Sequence, residues 1–482
     1  MVFNSLNFLM FFTVVFFAYY FLLNKKTQLQ NWLLLVVCYL FYGIVDVRMI
    51  PLLLAATTIF YFLGIAISTS NKKESSLLNV LGVVLGIGLL LYFKYFNFFL
   101  QSFSVLFNSI GLRSNWGTFK IILPLGVSFF TFRLISYTVE VYRGKIQSTR
   151  DFVVFATYIA FFPTIISGPI DRPNSFIPQI ENKRSFDYFR AIDGSRQFLW
   201  GMFKKMVIAD NLAGFVNTVW ADISNQSGVT LIITAILYSF EMYADFSGYS
   251  DMAIGIGKLL GFRITRNFNY PFFSRNIAEY WRNWHMSLTS WLTDYIFMPL
   301  NVKFRNFGNL GLIMALIINM VVIGLWHGAN WTFVIFGLYH GLLFVPLILS
   351  GSFFKKKKLK TNSLGLPAIS DLLRMVATFL LVTLGLIMFR ADNIGQFWIY
   401  IKALFNKSNY LANTAGIGSI IPTIGFTIGM LFFEWIFREM EYPLQITDKL
   451  KIKLYRISIY WILIIIIILN SGDEQKFIYF QF

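Results

Sequence analysis

Long apolar runs separated by short polar stretches follow one another along almost the whole chain. A bilayer core about 30 Å thick is crossed by a helix of about 20 apolar residues, so each run of that length predicts a membrane-spanning helix. Several runs are short, and we expect about eleven true spans, with the remainder re-entrant or interfacial. The candidate runs are roughly 5–23, 32–45, 49–68, 77–93, 119–142, 151–169, 196–219, 229–260, 311–326, 331–350, 370–389, 413–433 and 457–470.

Composition supports the same fold class. Of the 482 residues, 57% are hydrophobic and only 13% are charged, whereas soluble proteins carry about 25% charged residues. We therefore predict an all-α polytopic membrane protein that forms a single integral membrane domain. Within it we expect N-terminal helices in 1–118, a motif-bearing core in 119–350 and C-terminal helices in 351–482.

The formal net charge of +18 has two readings, nucleic-acid binding and the positive-inside rule. Because the basic residues cluster in short loops between apolar runs, we favour the second reading and expect no nucleic-acid partner. The chain then starts outside, and the tail "SGDEQKFIYFQF" lies outside again. The loops expected in the cytoplasm carry Lys25/Lys26, Lys72/Lys73, Lys204/Lys205, Lys355–Lys358 with Lys360, and Lys449/Lys451/Lys453/Arg456.

The segment from Gly261 to Asn309 is too polar to span a membrane and too aromatic for a free loop. Its pattern predicts one amphipathic helix over Ile277–Phe297, entered after Asn276, with an aromatic belt at the membrane surface. The alternative is that polar groups of this helix turn inward, and the spacing leaves both readings open. Those groups are Glu279, Arg282, His285 and Asp294.

Two of the three histidines lie in the apolar stretch "VIGLWHGANWTFVIFGLYHG". An ionisable side chain at membrane depth is costly, so it needs a satisfied structural role or a function. If the stretch is helical, Gly324, Asn330 and Trp331 share the face of His327. A neutral histidine titrates near pH ~6.5 and suits a general base, although packing is an equally good reading on physics alone. His340 lies about 220° further around such a helix, which favours a packing hydrogen bond.

A polar cluster interrupts the apolar run in "EMYADFSGYSDMAIGIG". Carboxylates at membrane depth need cations or water, and they either buttress a polar cavity or line a substrate path. The carboxylates are Glu241, Asp245 and Asp251, and the candidate cations are Arg133, Arg172, Arg196 and Lys205. The sequence has no phosphate-binding loop, no Gly-x-Ser-x-Gly nucleophile and no zinc-ligand spacing, so we expect no metal.

An ordered set of motifs runs through the chain from about residue 120 onward. The motifs are "FFPTIISGPIDRP", "KKMVIADNLA", "YADFSGYSDMAIGIG", "YWRNWHMSLTSWLTDYIFMPL", "GLWHGANWTFVIFGLYHG", "FRA" and "FIYFQF". As a set, the chain resembles the membrane-bound O-acyltransferases (MBOAT), in particular the bacterial branch that O-acetylates alginate or peptidoglycan. The stretch "SGPIDR", with Asp171, also resembles the branch that transfers D-alanine to teichoic acids, which leaves the acyl group open.

The resemblance implies membrane helices arranged around a central funnel and tunnel. It implies that His327 is the near-invariant histidine of the family and that His285 is its second, variable position. The donor would be a thioester substrate from the cytoplasm, either acetyl-coenzyme A or an acyl carrier protein's phosphopantetheine, with no bound cofactor. The acyl group would cross the bacterial cytoplasmic (inner) membrane to a partner with an SGNH-hydrolase-like domain or to an acceptor glycan outside.

Together these observations predict that His327 deprotonates an acceptor hydroxyl. Asn330 or Trp326 would polarise the thioester carbonyl or orient the ring, and His285 would position the thioester. The supporting residues are expected to be Trp284, Asp245, Ser250, Asp251, Arg282 and Asp294. The alternatives are D-alanyl transfer, a transporter or channel with His327 on its path, and a purely structural scaffold.

Overall fold

The computed structural model describes residues 2–112, 117, 119–355, 359, 361–406 and 416–478. These residues form helices and no strand, with a single isolated bridge between Thr361 and Pro367. The prediction of an all-α polytopic membrane protein is confirmed. Lys356–Lys358 and Lys360 of the basic run, and Tyr479–Phe482 of the tail, lie outside the described residues.

Eight helical segments in the described ranges are long and apolar enough to cross a membrane. Three of them, Thr27–Thr69, Lys72–Ser109 and Trp331–Leu349, each contain two successive α-helices. The number of about eleven spans, the funnel and the tunnel stay predictions. The eight segments are Thr27–Thr69, Lys72–Ser109, Gly228–Leu259, Arg305–His327, Trp331–Leu349, Ile369–Arg390, Ile417–Ile436 and Lys453–Asn470.

The chain divides into two compact units. The first comprises Met1–Ser195 and Ala253–Thr265, and the second comprises Arg196–Met252 and Arg266–Phe482. The single domain predicted from the sequence, with internal boundaries after residues 118 and 350, stays a prediction.

The first unit is built mainly from eight helices. They are α1 (Leu6–Phe17), α2 (Thr27–Asp46), α3 (Ile50–Thr69), α4 (Lys72–Leu90), α5 (Phe96–Ser109), α6 (Val127–Tyr142), α7 (Phe152–Ala160) and α8 (Pro173–Glu181). Helix α4 packs closely on α6 at Gly82 and Gly86. A Cβ atom at Gly86 would lie only 2.6 Å from Cγ1 of Ile135, so this spacing of small residues permits the close approach of the two helices.

Asp171, the residue that left the acyl group open, is buried in the first unit. Its Oδ1 atom accepts hydrogen bonds from the backbone N–H of Thr265 (2.8 Å) and from the Thr265 hydroxyl (2.7 Å). Burial raises the pKa of the Asp171 carboxyl above its usual value. Within this unit, Asp171 therefore fastens the chain that follows "SGPI" to Thr265.

The second unit contains the remaining helices, with α9 and α11 contributing to both units. They are α9 (Tyr188–Met202), α10 (Asp210–Ala221), α11 (Gly228–Leu259), α12 (Ile277–Asn283), α13 (Met286–Leu292), α14 (Met298–Lys303), α15 (Gly308–His327), α16 (Trp331–Leu343), α17 (Val345–Leu349), α18 (Ile369–Arg390), α19 (Ile394–Leu404), α20 (Ile421–Ile436) and α21 (Lys453–Asn470). Helices α9 and α10 are joined by a wider π-helical segment, Phe203–Ala209. Such wide turns often occur at functional sites.

Helices α15 and α16 form a hairpin whose backbones touch. A Cβ atom at Gly324 would overlap the carbonyl oxygen of Phe333, so a larger residue there would push the helices apart. Helix α15 ends at His327, Gly328 is extended, and Asn330 caps α16. The premise of one continuous helix through "GLWHGANW" is therefore wrong. Gly324 shares α15 and a helical face with His327, whereas Asn330 and Trp331 belong to the start of α16.

The segment predicted as one helix over Ile277–Phe297 is also broken. Its start is confirmed, because Oδ1 of Asn276 accepts a hydrogen bond from the backbone N–H of Glu279 at 2.9 Å. The chain leaves the helix at Trp284, and His285 has the left-handed backbone conformation, with φ of 44°. A second short helix, α13, follows, so the hydrophobic pattern was right about helices and wrong about their continuity.

Candidate active site

The indole ring of Trp326 links two histidines in the second unit. Its centroid lies 5.4 Å from the ring of His285 and 5.1 Å from the ring of His327. All three side chains are buried. The two histidines that carry the predicted chemistry are thus brought to one aromatic ring, although they belong to different helical segments.

His285 caps the helix that follows it. Its Nδ1 atom accepts a hydrogen bond from the backbone N–H of Leu288 at 3.2 Å, and this satisfies one of the free donors at the start of α13. The left-handed conformation turns the ring back onto its own helix. Few non-glycine residues adopt this conformation, which costs about 1 kcal/mol or more and marks sites where the surrounding structure imposes it.

Asn267 holds the turn at His285 in place. Its backbone oxygen accepts a hydrogen bond from the N–H of Met286 at 2.8 Å, and its Oδ1 accepts one from the Ser287 hydroxyl at 2.6 Å. Its Nδ2 donates to Oγ of Ser250 on α11 at 3.2 Å. The predicted site residue Ser250 is therefore connected to the His285 turn through Asn267, which the sequence analysis missed.

Burial sets the protonation state of His285. It lowers the pKa of His285 from its usual value to about 3, so the ring is neutral at physiological pH. Because Nδ1 accepts a hydrogen bond, the neutral ring carries its proton on Nε2. The neutral ring can therefore donate a hydrogen bond through Nε2, and its low pKa makes it poorly suited to take up a proton.

His327 lies in a different setting. As the last residue of α15 it sits at the negative end of the helix dipole, which favours the positive ring formed when a base takes up a proton. Phe389 and Phe336 form apolar walls, with ring centroids 5.0 Å and 6.2 Å from that of His327. Phe389 belongs to the "FRA" motif. His327 thus ends a helix against apolar walls, and its role as the base stays a prediction.

Asn330 has a clear structural role. Its Oδ1 accepts a hydrogen bond from the backbone N–H of Thr332 at 3.1 Å, and its Nδ2 donates to the carbonyl oxygen of Asp392 at 2.6 Å. The amide therefore secures the start of α16 and the chain that follows α18. Its predicted contact with the substrate stays a prediction.

Two lysines pair with two of the three carboxylates of α11, Asp245 and Asp251. Lys205 lies 2.7 Å from both Asp245 and Asp210, which confirms Lys205 as a partner for this cluster. Lys204 lies 2.5 Å from Asp251, a pairing that the sequence analysis did not propose. Because both lysines are buried in the π-helical segment Phe203–Ala209, the prediction that they lie in a loop is wrong, and their side of the membrane stays a prediction.

Two of the other cations proposed for this cluster have different partners. Arg133, in the first unit, donates to the carbonyl oxygens of Tyr158 and Ile159, each at 3.1 Å. Arg196 pairs with Asp448. Arg133 therefore holds the carbonyl oxygens near the end of α7, and Arg196 joins α9 to the segment that precedes α21.

A small polar cavity of about 20 Å³, with room for about one water molecule, adjoins the lysine–carboxylate cluster. Glu241 and Asp245 line it on α11, and Arg390 lines it at the end of α18. The Oε2 atom of Glu241 is buried without a hydrogen-bond partner, which is costly unless the cavity holds water or a ligand. The lining role predicted for this cluster remains a prediction.

The described part of the C-terminal tail returns to α11. The ring of Phe477 lies 5.9 Å from that of Phe246, and the Phe246 ring lies 4.6 Å from that of His285. The backbone N–H of Ile478 donates to Oδ2 of Asp245 at 2.8 Å. The sequence analysis placed this tail outside and counted "FIYFQF" among the motifs; Phe477 and Ile478 are buried, and the side of the membrane stays a prediction.

The remaining supporting residues differ in their placement. Trp284 is buried, and its ring stacks on Tyr280 with centroids 5.4 Å apart. Arg282 is half-buried and donates to the carbonyl oxygen of Phe353 at 2.9 Å. Asp294 is exposed. Of the groups that the inward alternative named, only His285 is fully buried, and the half-buried Glu279 pairs with Arg275.

His340 has the packing role that was expected. Its Nδ1 accepts a hydrogen bond from the indole N–H of Trp281 at 3.3 Å. A Cβ atom at Gly385 would lie 2.7 Å from its Nε2, so α18 approaches this ring closely. The expectation of a packing hydrogen bond is confirmed.

Comparison with known proteins decides the family. The model of the membrane-bound O-acyltransferase family matches residues 4–387. The chain belongs to this family. The match begins well before residue 120, from which the motifs were recognised. Together with the eight apolar helical segments in the described ranges, the family match makes the protein a multi-pass membrane O-acyltransferase.

Several curated members of the family are similar to this chain. The "Probable alginate O-acetylase AlgI" of Azotobacter vinelandii is 37% identical over 85% of this chain and 79% of its own length. The peptidoglycan O-acetyltransferase of Helicobacter pylori is 33% identical over 71% of this chain and 69% of its length. The teichoic acid D-alanyltransferase of Streptococcus thermophilus is 31% identical over 54% of this chain and 65% of its length.

Proposed function

We propose that this O-acyltransferase passes an acetyl group from a thioester donor to a hydroxyl, for the O-acetylation of a polysaccharide outside the cytoplasmic membrane. The observation that carries the proposal is the shared contact of His285 and His327 with Trp326. Similarity to an alginate O-acetylase and a peptidoglycan O-acetyltransferase, each over more of the chain than a D-alanyltransferase, favours acetyl as the acyl group.

His327 is proposed as the general base. It takes the proton of the acceptor hydroxyl while the oxygen attacks the carbonyl carbon of the thioester. The carbon–sulfur bond then breaks, and the leaving thiolate takes that proton from the His327 imidazolium to become a free thiol. The end of α15 stabilises the imidazolium between these two steps.

His285 is proposed as the donor to the reacting carbonyl. Its Nε2–H would donate to the carbonyl oxygen, on which negative charge develops as the acceptor attacks. A neutral donor with a low pKa suits this task, because it does not compete with His327 for the proton. Trp326 contacts both rings and would keep the donor and the base at a constant spacing.

The proposed setting follows from the chemistry of the two substrates. A thioester of coenzyme A or of a carrier protein would arrive from the cytoplasm, and no bound cofactor would be needed. The acceptor would be presented on the outer side of a bacterial inner membrane, by a partner with an SGNH-hydrolase-like domain or by the glycan itself. Trp284, Asp251 and Arg282 would support the site through packing and charge pairing.

The test uses the purified protein in proteoliposomes with three labelled donors: acetyl-coenzyme A, acetyl carrier protein and D-alanyl carrier protein. The His327→Ala variant should lose at least about 100-fold in acyl transfer, the usual contribution of a general base. The matched control is His340→Asn, because the asparagine oxygen replaces the Nδ1 acceptor of a buried histidine that only packs.

The outcomes separate the alternatives. Normal transfer by a folded, membrane-inserted His327→Ala protein would overturn the assignment of the base. Transfer from D-alanyl carrier protein alone would replace acetyl by D-alanyl as the acyl group. Transfer from none of the three donors would refute the proposed donor class.

A further inference from the structure

An open groove of about 880 Å³ lies between the beginning of α4 and the end of α6 in the first unit. This volume is within the range of about 300–1,000 Å³ typical of ligand sites. The close packing of α4 on α6 at Gly82 and Gly86 brings the two helix ends together. The groove is lined by Lys72, Lys73, Glu74, Leu77, Val80 and Tyr142.

The two lysines provide the charged end of the groove. Both are exposed, and the side chain of Asn71 caps the helix just before them. Glu74 offsets one of the two positive charges. Further exposed basic residues, Arg143 and Lys145, follow Tyr142 in the loop after α6, so this end of the unit is positive overall.

A hydrogen bond holds the loop after α6 against the same end of the unit. The hydroxyl oxygens of Ser68 and Ser148 lie 2.7 Å apart, which joins this loop to the end of α3. The hydroxyl of Tyr61 also donates to the carbonyl oxygen of Arg150 at 2.6 Å. The basic loop is therefore fastened beside the groove by two contacts to α3.

The other end of the groove is apolar. Leu77 and Val80 are 71% and 53% exposed, and Val84, one turn further along α4, is 58% exposed. Residues spaced by three and four positions share one helix face, so they form a continuous stripe. This stripe runs from the lysines into the membrane-spanning segment Lys72–Ser109. A hydrocarbon chain fits such a stripe, whereas a water-soluble ligand does not.

We propose that this groove binds one anionic phospholipid. The phosphate group lies against Lys72 and Lys73, and one acyl chain follows the stripe of Leu77, Val80 and Val84. Tyr142 lies at the boundary between the two, where an amphipathic ring is favoured. The occupant is identified by charge complementarity at one end and by exposed apolar surface at the other, and the inference does not depend on the proposed catalytic function.

The test measures lipid binding to the delipidated, full-length protein by native mass spectrometry. The ligands are phosphatidylglycerol and phosphatidylethanolamine of the same acyl chains. Replacing both lysines in a Lys72→Gln/Lys73→Gln variant should weaken phosphatidylglycerol binding roughly 30-fold, from the attraction of two lysines to an anionic membrane surface. The matched control is Lys25→Gln/Lys26→Gln, which removes the same charge from another exposed pair in this unit.

The proposal predicts loss of preferential phosphatidylglycerol binding in the first variant and its retention in the second. Preferential phosphatidylglycerol binding that is retained in the first variant would overturn the proposal. Equal loss in both variants would also overturn it, because the preference would then come from the net charge of the protein and not from this groove. Millimolar inorganic phosphate should not displace the lipid, and displacement would identify a simple phosphate site instead. A Leu77→Ser/Val80→Ser variant should also weaken binding, because it makes the stripe polar while both lysines remain.

Discussion

Replacing His285 by asparagine and by glutamine separates the functions of its two ring nitrogens. The asparagine side-chain oxygen can take the position of Nδ1, which accepts from the backbone N–H of Leu288 at 3.2 Å. The glutamine side-chain nitrogen can instead take the position of Nε2. We expect His285→Asn to keep the helix cap and lose the donor, and His285→Gln to keep the donor and lose the cap.

The backbone of His285 sets the order of stability among smaller replacements. Its φ of 44° strains an alanine by about 1 kcal/mol, whereas asparagine tolerates this conformation and glycine adopts it freely. Loss of the cap costs about another 1 kcal/mol for alanine and only a few tenths for glycine. The free energy of unfolding should therefore fall in the order Asn, Gly, Ala, over a range of about 2 kcal/mol.

Both quantities can be measured on the same preparations. Unfolding in mixed micelles gives the stability order, and acyl transfer in proteoliposomes gives the activity. His285→Asn should be the more stable of the Asn/Gln pair yet lose about 100-fold or more in transfer, the effect of removing one donor to a developing oxyanion. His285→Gln should retain more activity. If His285→Asn transfers normally, the donor role is refuted, and if alanine is as stable as glycine, the left-handed turn is refuted.

Three further predictions concern the supporting structure. Asn267→Ala should destabilise the protein by about 1–3 kcal/mol, because the buried Ser287 hydroxyl loses its acceptor. It should also lower transfer through the displaced His285, and an unchanged rate at lower stability would contradict the positioning role. Lys205→Met should lower the free energy of unfolding by about 3–5 kcal/mol, because it leaves buried carboxylates unpaired. Adding Asp245→Asn should restore part of this stability, and no restoration would contradict the pairing of Lys205 with Asp245. Stability should fall as the pH drops from about 6.5 towards 3, because unfolded His285 binds a proton that the folded ring does not. His285 contributes at most about 1.4 kcal/mol per pH unit to the slope of the unfolding free energy against pH. If His285→Gln shows the same slope as the unmodified protein, the slope does not come from His285.

The sequence predicted the components of the candidate site better than their connections. The apolar runs and motifs pointed to His327, to His285 and to a packing role for His340, since residue type and setting are visible in the chain itself. The contact of Trp326 with both catalytic candidates depends on how α15 packs near the His285 turn, and no periodicity encodes it. The helix breaks were missed because hydrophobic spacing continues through them. At His285 the turn is held by Asn267, a residue distant in the sequence.

Charge was the other source of error. A lysine pair between apolar runs has the same appearance whether it lies in a cytoplasmic loop or in a buried π-helical segment. The carboxylates that pair with the lysines distinguish the two cases, and Asp245 and Asp251 lie on α11, beyond the intervening helix α10. Lys205 was predicted as a cation for this cluster and Lys204 was not, because α11 carries several carboxylates and only the three-dimensional structure shows which lysine meets which of them.

The lysine–carboxylate pairs have a consequence for how the protein enters a membrane during synthesis. An aspartate at the centre of a membrane helix raises the free energy of insertion by about 2.5–3.5 kcal/mol, and α11 carries both Asp245 and Asp251. Their partners, Lys204 and Lys205, are synthesised earlier. We therefore expect the segment that carries the lysines to remain beside the insertion machinery until α11 emerges, so that the opposite charges pass into the lipid together.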